Sequence, residues 1–316
     1  MSDRVIIGRF QPCPHDHAGA YRPVPQLPAL DPAVLRELVR KRDRSRGQYV
    51  VSEQELPDPD FPTVKVPNPE DPDAFELALK LQRKIGADLV FGTDPDCDRV
   101  GIAALDSDGK PRILNGNQIG CLLLHYILSQ KKALGLLPAN AAAVKSIVST
   151  ELARAICRDF GAELFDVLTG FKFIAEKIQE FEESGEHSFV FGFEESCGYL
   201  SGTDVRDKDG VNASMLIAET AAYYKKQGMT LYDALEAIYQ KYGYYGEKVA
   251  SFALVGKDGL KKSALLMARL RAHPPEALGG PRVLAVRDYL SGLRVQHGVT
   301  QSMGLPPTDA LYYELE

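Results

Sequence analysis

Short apolar runs alternate with helix-like segments through most of this sequence, and that order restricts the fold more than any other feature. Between residues 71 and 193 the pattern predicts helices over 71–85, 118–134, 151–160 and 173–183, and strands over 88–91, 101–105, 143–148, 164–168 and 189–193. Strands that alternate with helices at this spacing are joined by right-handed βαβ crossovers and form mainly parallel sheets. The sequence therefore predicts an α/β protein.

The pattern also predicts a domain organisation. We expect two consecutive α/β units with mainly parallel mixed sheets, over 34–116 and 117–258, and then the start of a smaller α+β domain over 259–316. The further predicted elements are helices over 31–44, 211–226, 230–242 and 260–271, and strands over 48–51, 282–286 and 310–314. Residues 1–33 carry prolines at 12, 14, 23, 25, 28 and 32, so we expect an irregular segment there, with Val5–Ile7 at best the remnant of a strand.

Composition narrows the class of protein. The net charge of −6 gives a nucleic-acid partner no electrostatic support. The cysteines are scattered without a C-x-x-C pair, which is typical of reduced thiols in a cytosolic protein, and we expect a cytoplasmic location. No apolar stretch approaches the length of a membrane span, so we expect no membrane partner.

The segment Ala87–Arg99 carries the strongest chemical signal. A buried apolar run ends at Thr93, and Asp94, Asp96 and Asp98 follow at alternate positions. Side chains at i, i+2 and i+4 share one face of extended backbone, so these carboxylates are expected to converge at the end of a strand. Three such charges need a counter-cation, and a hard divalent ion, Mg²⁺, fits best. Arg99 follows as a fixed cation suited to phosphate.

Other interpretations of this motif exist. Aspartates after a strand often only cap turns. An EF-hand counted from Asp94 needs glycine at its sixth position and glutamate at its twelfth, where this chain has Arg99 and Leu105. A magnesium phosphohydrolase needs threonine or valine where Asp98 stands, so neither of these two alternatives fits.

Polar residues also follow two later predicted strands. Glu194 and Ser196 are one residue apart, so both can face one cleft, although a helix cap or turn would also explain them. Thr169–Gly170 places a glycine where the backbone could approach a ligand, and Lys172 adds a cation, although a plain strand-to-helix turn would look the same. Lys208, between two aspartates, is either a phosphate contact or a surface ion-paired lysine, and its local sequence favours the second.

Together these segments resemble the α-D-phosphohexomutases, the phosphoglucomutase and phosphomannomutase family. The resemblance runs from about residue 34 to 316, and its motifs occur in the family's order. They are Gln54–Pro62 with Pro67–Glu70, the metal loop Asp94–Arg99, Leu114–Gln118, the specificity loop Leu168–Lys172, and the sugar loop Phe193–Tyr199 followed by Arg206–Gly210.

The resemblance implies site roles and partners. Mg²⁺ would be held by Asp94, Asp96 and Asp98, with Arg99 stabilising phosphate charge. Glu194 and Ser196 would hold sugar hydroxyls, and Thr169, Gly170, Lys172 and Lys208 would complete the substrate site. The implied partner is a small-molecule sugar phosphate, and the implied reaction is intramolecular phosphoryl transfer of the glucose 1-phosphate/glucose 6-phosphate class, ahead of phosphopentomutase or phosphomannomutase specificity.

Two family motifs do not occur in these 316 residues. They are the loop with the serine that is phosphorylated during turnover, resembling Thr-Ala-Ser-His-Asn-Pro, and the final phosphate-gripping loop, resembling Arg-Pro-Ser-Gly-Thr-Glu-Pro-Lys. We therefore expect a phosphohexomutase truncated at both ends that is inactive by itself. The alternative is a non-catalytic protein that binds magnesium and sugar phosphate.

Overall fold

The computed structural model describes residues 5–9, 48–56, 58–247, 254 and 256–316. The chain divides into two compact units, Met1–Tyr245 and Gly246–Glu316. The helix predicted over 31–44 lies outside the described residues. In the described part of the chain, no helix is both long enough and apolar enough to cross a lipid bilayer.

The elements of the first unit agree in order with the predicted pattern. Its strands are β1 (Val5–Arg9), β2 (Gln48–Val50), β3 (Leu89–Thr93), β4 (Val100–Leu105), β5 (Pro111–Leu114), β6 (Ala141–Ser146), β7 (Glu163–Val167), β8 (Ser188–Glu194) and β9 (Gly198–Leu200). Its helices are α1 (Glu76–Ile85), α2 (Gly116–Ala133), α3 (Leu152–Phe160), α4 (Phe171–Ser184), α5 (Gly210–Lys226) and α6 (Leu231–Tyr242), with short 3₁₀ helices at Ser52–Gln54 and Pro72–Phe75.

Both sheets of this unit are parallel at the centre and mixed at one edge, which confirms the predicted fold class. The first sheet has the order β2-β1-β3-β4-β5, with β2, β1 and β3 parallel and β4 and β5 antiparallel. The second has the order β7-β6-β8-β9, with only β9 antiparallel. The division into domains over 34–116, 117–258 and 259–316 stays a prediction.

Strand β1 corrects one expectation about the amino-terminal segment. Val5–Arg9 pairs in parallel with both β2 and β3, so the irregular segment expected over 1–33 does not hold for these five residues. Two neighbouring strands supply hydrogen-bond partners on both sides of the backbone, and the β-branched Val-Ile-Ile run suits a strand. The rest of 1–33 lies outside the described residues.

Helix α2 lies in the core that the two sheets share. Its leucine run, Leu122–Leu124, is at most 2% exposed and belongs to one apolar cluster with Phe91 of β3 and Phe193 of β8. A helix that is apolar on most of its surface must be covered on more than one side. The helix starts two residues before its predicted start, because Asn115 and Gln118 form a reciprocal capping box.

The outer faces of the sheets are covered by other helices. Ala78 of α1 packs in a cluster with Val90 and Ala103 of the first sheet. Ile174 and Ile178 of α4 pack in another cluster on the second sheet. Each sheet is thus buried on both faces, as parallel sheets usually are, and the loops at the strand ends are left to form sites.

The second unit is the smaller α+β domain that the sequence predicts. Helix α7 (Gly256–Ala272) precedes four antiparallel strands in the order β12-β11-β10-β13, namely β10 (Val283–Asp288), β11 (Leu293–Gln296), β12 (Val299–Ser302) and β13 (Leu311–Leu315). Glu314 accepts hydrogen bonds from Arg287 Nε at 2.7 Å and from Arg294 Nη2 at 2.6 Å.

The two arginines make Glu314 an acid-sensitive contact. Their hydrogen bonds, led by that of Arg294, lower the pKa of Glu314 to about 2. A carboxylate with a lowered pKa stabilises the fold above its ordinary pKa, and that contribution is lost as the pH falls toward the folded value. In a carboxyl-carbon NMR titration we expect a midpoint near pH 2 for Glu314. Arg294→Ala should raise the midpoint by about one unit, since one cation is gone. An unchanged midpoint in that variant would contradict the assignment.

Candidate functional site

The metal loop, residues 94–99, is a tight turn rather than extended backbone. Cys97 N donates to Asp94 O at 3.1 Å, and Cys97 itself has a left-handed φ of 57°. The expected convergence of the aspartates along one strand face was therefore wrong in its geometry, because the chain reverses directly after β3. The turn nevertheless gathers Asp94, Asp96 and Asp98, whose ligand oxygens lie within 4.8 Å of one another.

These three carboxylates fit a divalent cation. Oxygens on opposite sides of a magnesium ion are about 4.2 Å apart, so a small side-chain adjustment would let all three reach one ion. Asp98 Oδ1 is buried and has no hydrogen-bond partner in the part of the chain that the structure describes, which leaves one oxygen available to a ligand. Asp94 Oδ1 accepts from Arg99 N at 3.0 Å, which holds the turn closed around the carboxylates.

The pKa values reflect the crowding of negative charge. Burial, a hydrogen bond with Asp98 and repulsion from Asp98 and Asp96 raise the pKa of Asp94 to about 7. Burial acts in the same direction on Asp98, but a hydrogen bond from Lys208 outweighs it and lowers the pKa of Asp98. Near neutral pH the cluster thus retains a proton in the absence of a cation, and a bound divalent ion would displace it.

Arg99 lies beside the carboxylates with capacity left for another anion. Its Nε atom is 3.7 Å from Asp94 Oδ2 and 3.8 Å from Asp98 Oδ1, too far for hydrogen bonds, and Nη1 is 3.9 Å from Glu70 Oε2. Nε is buried without a hydrogen bond to any described residue, while the side chain as a whole is 35% exposed. The guanidinium is oriented by charge and retains donors for a phosphate.

Lys208 contacts all three motif loops. Its Nζ atom is 2.7 Å from Asp98 Oδ2 of the metal loop and 5.6 Å from the centre of the Phe171 ring in the specificity loop. Its stem crosses Gly198 of the sugar loop, where an added Cβ would lie 2.3 Å from Lys208 Cδ.

The local sequence favours a surface ion-paired lysine at position 208. Lys208 is ion-paired, but its side chain is only 13% exposed, so it is not a surface lysine. Burial opposes its charge, yet the hydrogen bond and attraction to Asp98 and Asp207 raise the pKa of Lys208 above its usual range. The ammonium group therefore stays charged within the site.

The sugar loop begins with a buried carboxylate. Glu194, 5% exposed, ends β8, and its Oε1 atom accepts from Gly170 N at 2.6 Å. Burial raises the pKa of Glu194, an effect that the Gly170 bond, Lys208 and Arg99 oppose. Gly170 has a φ of 119°, which disfavours a side chain there.

The remaining expected site residues are Ser196, Thr169 and Lys172. Ser196 is half-buried two residues after Glu194, whereas Thr169 and Lys172 are exposed. Lys172 Nζ lies over the Phe173 ring at 4.8 Å. Within the described residues, no hydrogen bond or ion pair joins Thr169 or Lys172 to Glu194 or to the metal loop. The geometry therefore gathers the aspartates, Arg99 and Lys208, and separately Glu194 with Gly170.

Backbone hydrogen bonds join the metal loop to its neighbours. Cys97 O accepts from Gly210 N, and Cys197 O accepts from Val100 N, each at 3.1 Å. Arg99 and Gly198 form an antiparallel bridge between the two loops. Cys197, like Cys97, is left-handed, with a φ of 63°. The two loops thus form one connected surface.

Sequence reasoning did not single out Glu195, Ser146, Ser149 or the pairing of Arg99 with Glu70. Glu195 Oε2 accepts from Ser146 Oγ at 2.8 Å and from Ser149 Oγ at 3.2 Å. The available signals were two family-like motifs, Pro67–Glu70 for Glu70 and Phe193–Tyr199 for Glu195. Nothing in the local sequence connects residues 146 and 195.

Comparison with known families agrees with this geometry. A sequence model of phosphoglucomutase/phosphomannomutase α/β/α domain III matches residues 115–242, and one of domain II matches residues 32–107. Together they cover more than half of the chain. The chain belongs to the α-D-phosphohexomutase family.

Known phosphohexomutases are similar over most of the chain. A phosphoglucomutase of Staphylococcus aureus strain RF122 is 43% identical over 242 residues, which are 77% of this chain and 43% of that protein. The matched region is thus less than half of its relative's length.

Two solved structures share the fold. A Burkholderia thailandensis phosphoglucomutase/phosphomannomutase family protein is 16% identical, with a TM-score of 0.55, over 87% of this chain and 48% of its own. The Paramecium protein parafusin, a phosphoglucomutase in its open form, is 19% identical, with a TM-score of 0.54, over 83% of this chain and 43% of its own.

A substitution at Gly116 would test how closely the sugar loop packs against helix α2. A Cβ on Gly116 would lie 1.9 Å from Glu195 O, a backbone atom that cannot rotate away. We expect Gly116→Ala to lower the free energy of unfolding by about 1–3 kcal/mol, as overpacking commonly does. Urea denaturation would measure this.

Lys132→Ala, at an exposed position on the same helix α2, is the control and should change stability by less than about 0.5 kcal/mol. If Gly116→Ala were as stable as the control, the close approach of the sugar loop to helix α2 would be incorrect.

Proposed function

We propose that this chain forms the metal- and sugar-binding centre of a phosphohexomutase that interconverts hexose monophosphates of the glucose 1-phosphate/glucose 6-phosphate class. The observation that carries the proposal is the position of Lys208, which joins the aspartate cluster to Gly198 and Phe171 of the other two loops. A cation site, two fixed cations and a carboxylate for hydroxyl groups then lie on one connected surface.

The residues suit phosphoryl transfer. Such a reaction needs little covalent assistance from the protein and depends on positioning and on neutralising the charge of the phosphoryl oxygens. Asp94, Asp96 and Asp98 would hold Mg²⁺, which supplies that neutralisation when bound. Arg99 Nε lies within 3.8 Å of two of the aspartates and has no hydrogen-bond partner among the described residues, and Lys208 presents a charged ammonium group that is already oriented by Asp98.

Glu194 and Ser196 suit recognition of the sugar. Glu194 Oε1 is already bonded to Gly170 N, so the carboxylate is fixed and its other oxygen can accept from a sugar hydroxyl. Ser196, which is half-buried two residues after Glu194, adds a donor and an acceptor. Carboxylates are well suited to hydroxyl groups because they only accept hydrogen bonds.

The identity of the staphylococcal relative as a phosphoglucomutase supports the glucose class over pentose or mannose phosphates. Because the matched region covers 43% of that protein, turnover by the whole enzyme is part of the proposal. Binding is the property that can be tested on this chain.

Magnesium binding should depend on Asp96. Asp96→Asn removes one charged ligand, so we expect it to weaken Mg²⁺ binding by about tenfold or more in calorimetric titration. Asp108→Asn is the matched control, since Asp108 is an exposed aspartate in the β4–β5 turn. Equal Mg²⁺ affinity in wild type and Asp96→Asn would rule out the aspartate cluster as the metal site.

Glucose 6-phosphate should bind at the two loops that follow β7 and β8. We expect weak binding, with a Kd on the order of millimolar, or about −4 kcal/mol. NMR titration in the presence of Mg²⁺ should shift the amides of residues 169–172 and 194–196. Glu194→Ala should abolish these shifts, since the sugar loses its fixed acceptor, and Lys208→Ala should only weaken them.

Glu180→Ala is the control for that titration, because Glu180 is an exposed residue whose ion-pair partner among the described residues is the neighbouring Lys177 in α4. Its shifts should match those of the wild type. If glucose 6-phosphate shifted only residues outside both loops, the proposed sugar site would be refuted.

A further inference from the structure

The sugar loop contains a second carboxylate, that of Glu195, which contacts buried serines and has a different role from the one proposed for Glu194. Glu195 lies between Glu194 and Ser196, and its Oε2 atom accepts from the hydroxyls of Ser146 and Ser149 at 2.8 and 3.2 Å. The two hydroxyls are also 2.8 Å from each other. Both serines are buried, so this carboxylate is held from within the protein.

The segment that presents these hydroxyls is itself rigidly held. Residues 146–151, which we call the β6 loop, begin at the last residue of strand β6, and Lys145 lies directly before them with no exposed surface. Lys145 Nζ donates to Ser146 O at 3.3 Å and to Ser149 O at 3.1 Å. The same ammonium pairs with Glu151 at 3.1 Å and with Asp166 of β7 at 3.0 Å.

Such a network is costly to bury unless its groups are satisfied. Two hydrogen bonds and two ion pairs match the charge of the Lys145 ammonium group and fix both ends of the β6 loop. Arg154 adds further bonds to Glu151 at 2.8 Å and Asp166 at 2.5 Å. The serine hydroxyls are therefore presented from a stiff base and not from a mobile loop.

The other side of Glu195 is equally constrained. Its carbonyl oxygen lies against Gly116 at the start of α2, so closely that no side chain fits there. Glu195 is thus held through its backbone by α2 and through its carboxylate by the β6 loop. The residues on either side, Glu194 and Ser196, receive their orientation from this fixed point.

We infer that Glu195 is a positioning residue: the bonds from Ser146 and Ser149 to its carboxylate hold the sugar loop in the conformation that presents Glu194 and Ser196 to a sugar. The inference rests on the proposed function, because it concerns how that sugar site is formed. Preorganisation of this kind increases affinity by lowering the cost of ordering the loop on binding.

The test compares two ligands, glucose 6-phosphate and inorganic phosphate, by NMR titration of the full chain in the presence of Mg²⁺. Glu195→Ala should raise the Kd for glucose 6-phosphate by about tenfold, the effect of losing a charge-assisted hydrogen bond. The Kd for inorganic phosphate should not change, since that ligand needs Arg99, Lys208 and the metal cluster but no sugar loop.

Two further variants separate positioning from stability. Glu195→Gln keeps an oxygen that accepts from both hydroxyls, so it should restore the Kd for glucose 6-phosphate to within about threefold of wild type. Ser149→Ala removes one donor without altering charge and should weaken glucose 6-phosphate binding less than Glu195→Ala does. It serves as the test variant if Glu195→Ala does not fold.

The outcomes distinguish this inference from the proposed function. If glucose 6-phosphate does not shift the amides of residues 169–172 and 194–196 in the wild-type protein, the result counts against the proposed function. If the wild-type protein binds glucose 6-phosphate at these residues, and Glu195→Ala or Ser149→Ala binds it equally well, the inference alone is overturned. Parallel loss of glucose 6-phosphate and inorganic phosphate binding, without rescue by Glu195→Gln, also overturns it, because it indicates general destabilisation.

Discussion

The ion pair between Lys208 and Asp98 is the contact on which the arrangement of the candidate site depends. The two atoms are 2.7 Å apart, and the lysine side chain is 13% exposed, so the pair is partly desolvated. Such a lysine is retained only if its charge is matched, and Asp98 supplies the match while its own pKa is lowered by the contact. Because Lys208 also crosses Gly198, this pair sets the distance between the metal loop and the sugar loop.

Backbone strain at two cysteines is part of the same arrangement. Cys97 and Cys197 have positive φ values of 57° and 63°, a conformation that costs of order 1–2 kcal/mol for residues with a side chain. Each carbonyl is bonded to another segment, at Gly210 and Val100 respectively. The strain is therefore offset by contacts that turn each loop toward the other, and it persists where the metal loop and the sugar loop meet.

The sequence allowed the order of elements and the loops of the site to be predicted, but not how the loops close. Alternation located the strands before Asp94 and Glu194 because each strand is a buried apolar run of ordinary length. Strand β9 was missed because it has three residues and follows a loop without an apolar pattern of its own. The aspartates were expected to converge on extended backbone, whereas a turn at Cys97 brings them together. Glu195 was missed since its partners are nearly fifty residues away.

The charges around the aspartate cluster determine how metal binding should affect phosphate binding. Four carboxylates, those of Glu70, Asp94, Asp96 and Asp98, surround the two cations Arg99 and Lys208. In the proposed function a phosphate dianion enters this region, where uncompensated carboxylates would repel it. The pKa of Asp94 is raised to about 7, so this carboxylate retains a proton at lower pH. That proton only partly relieves the repulsion. A divalent cation would cancel most of the local negative charge, so metal and phosphate binding should strengthen each other by linkage. The sugar recognition proposed for Glu194 would depend on hydroxyl groups and a fixed loop, and is the part of the proposed site that this coupling should affect least.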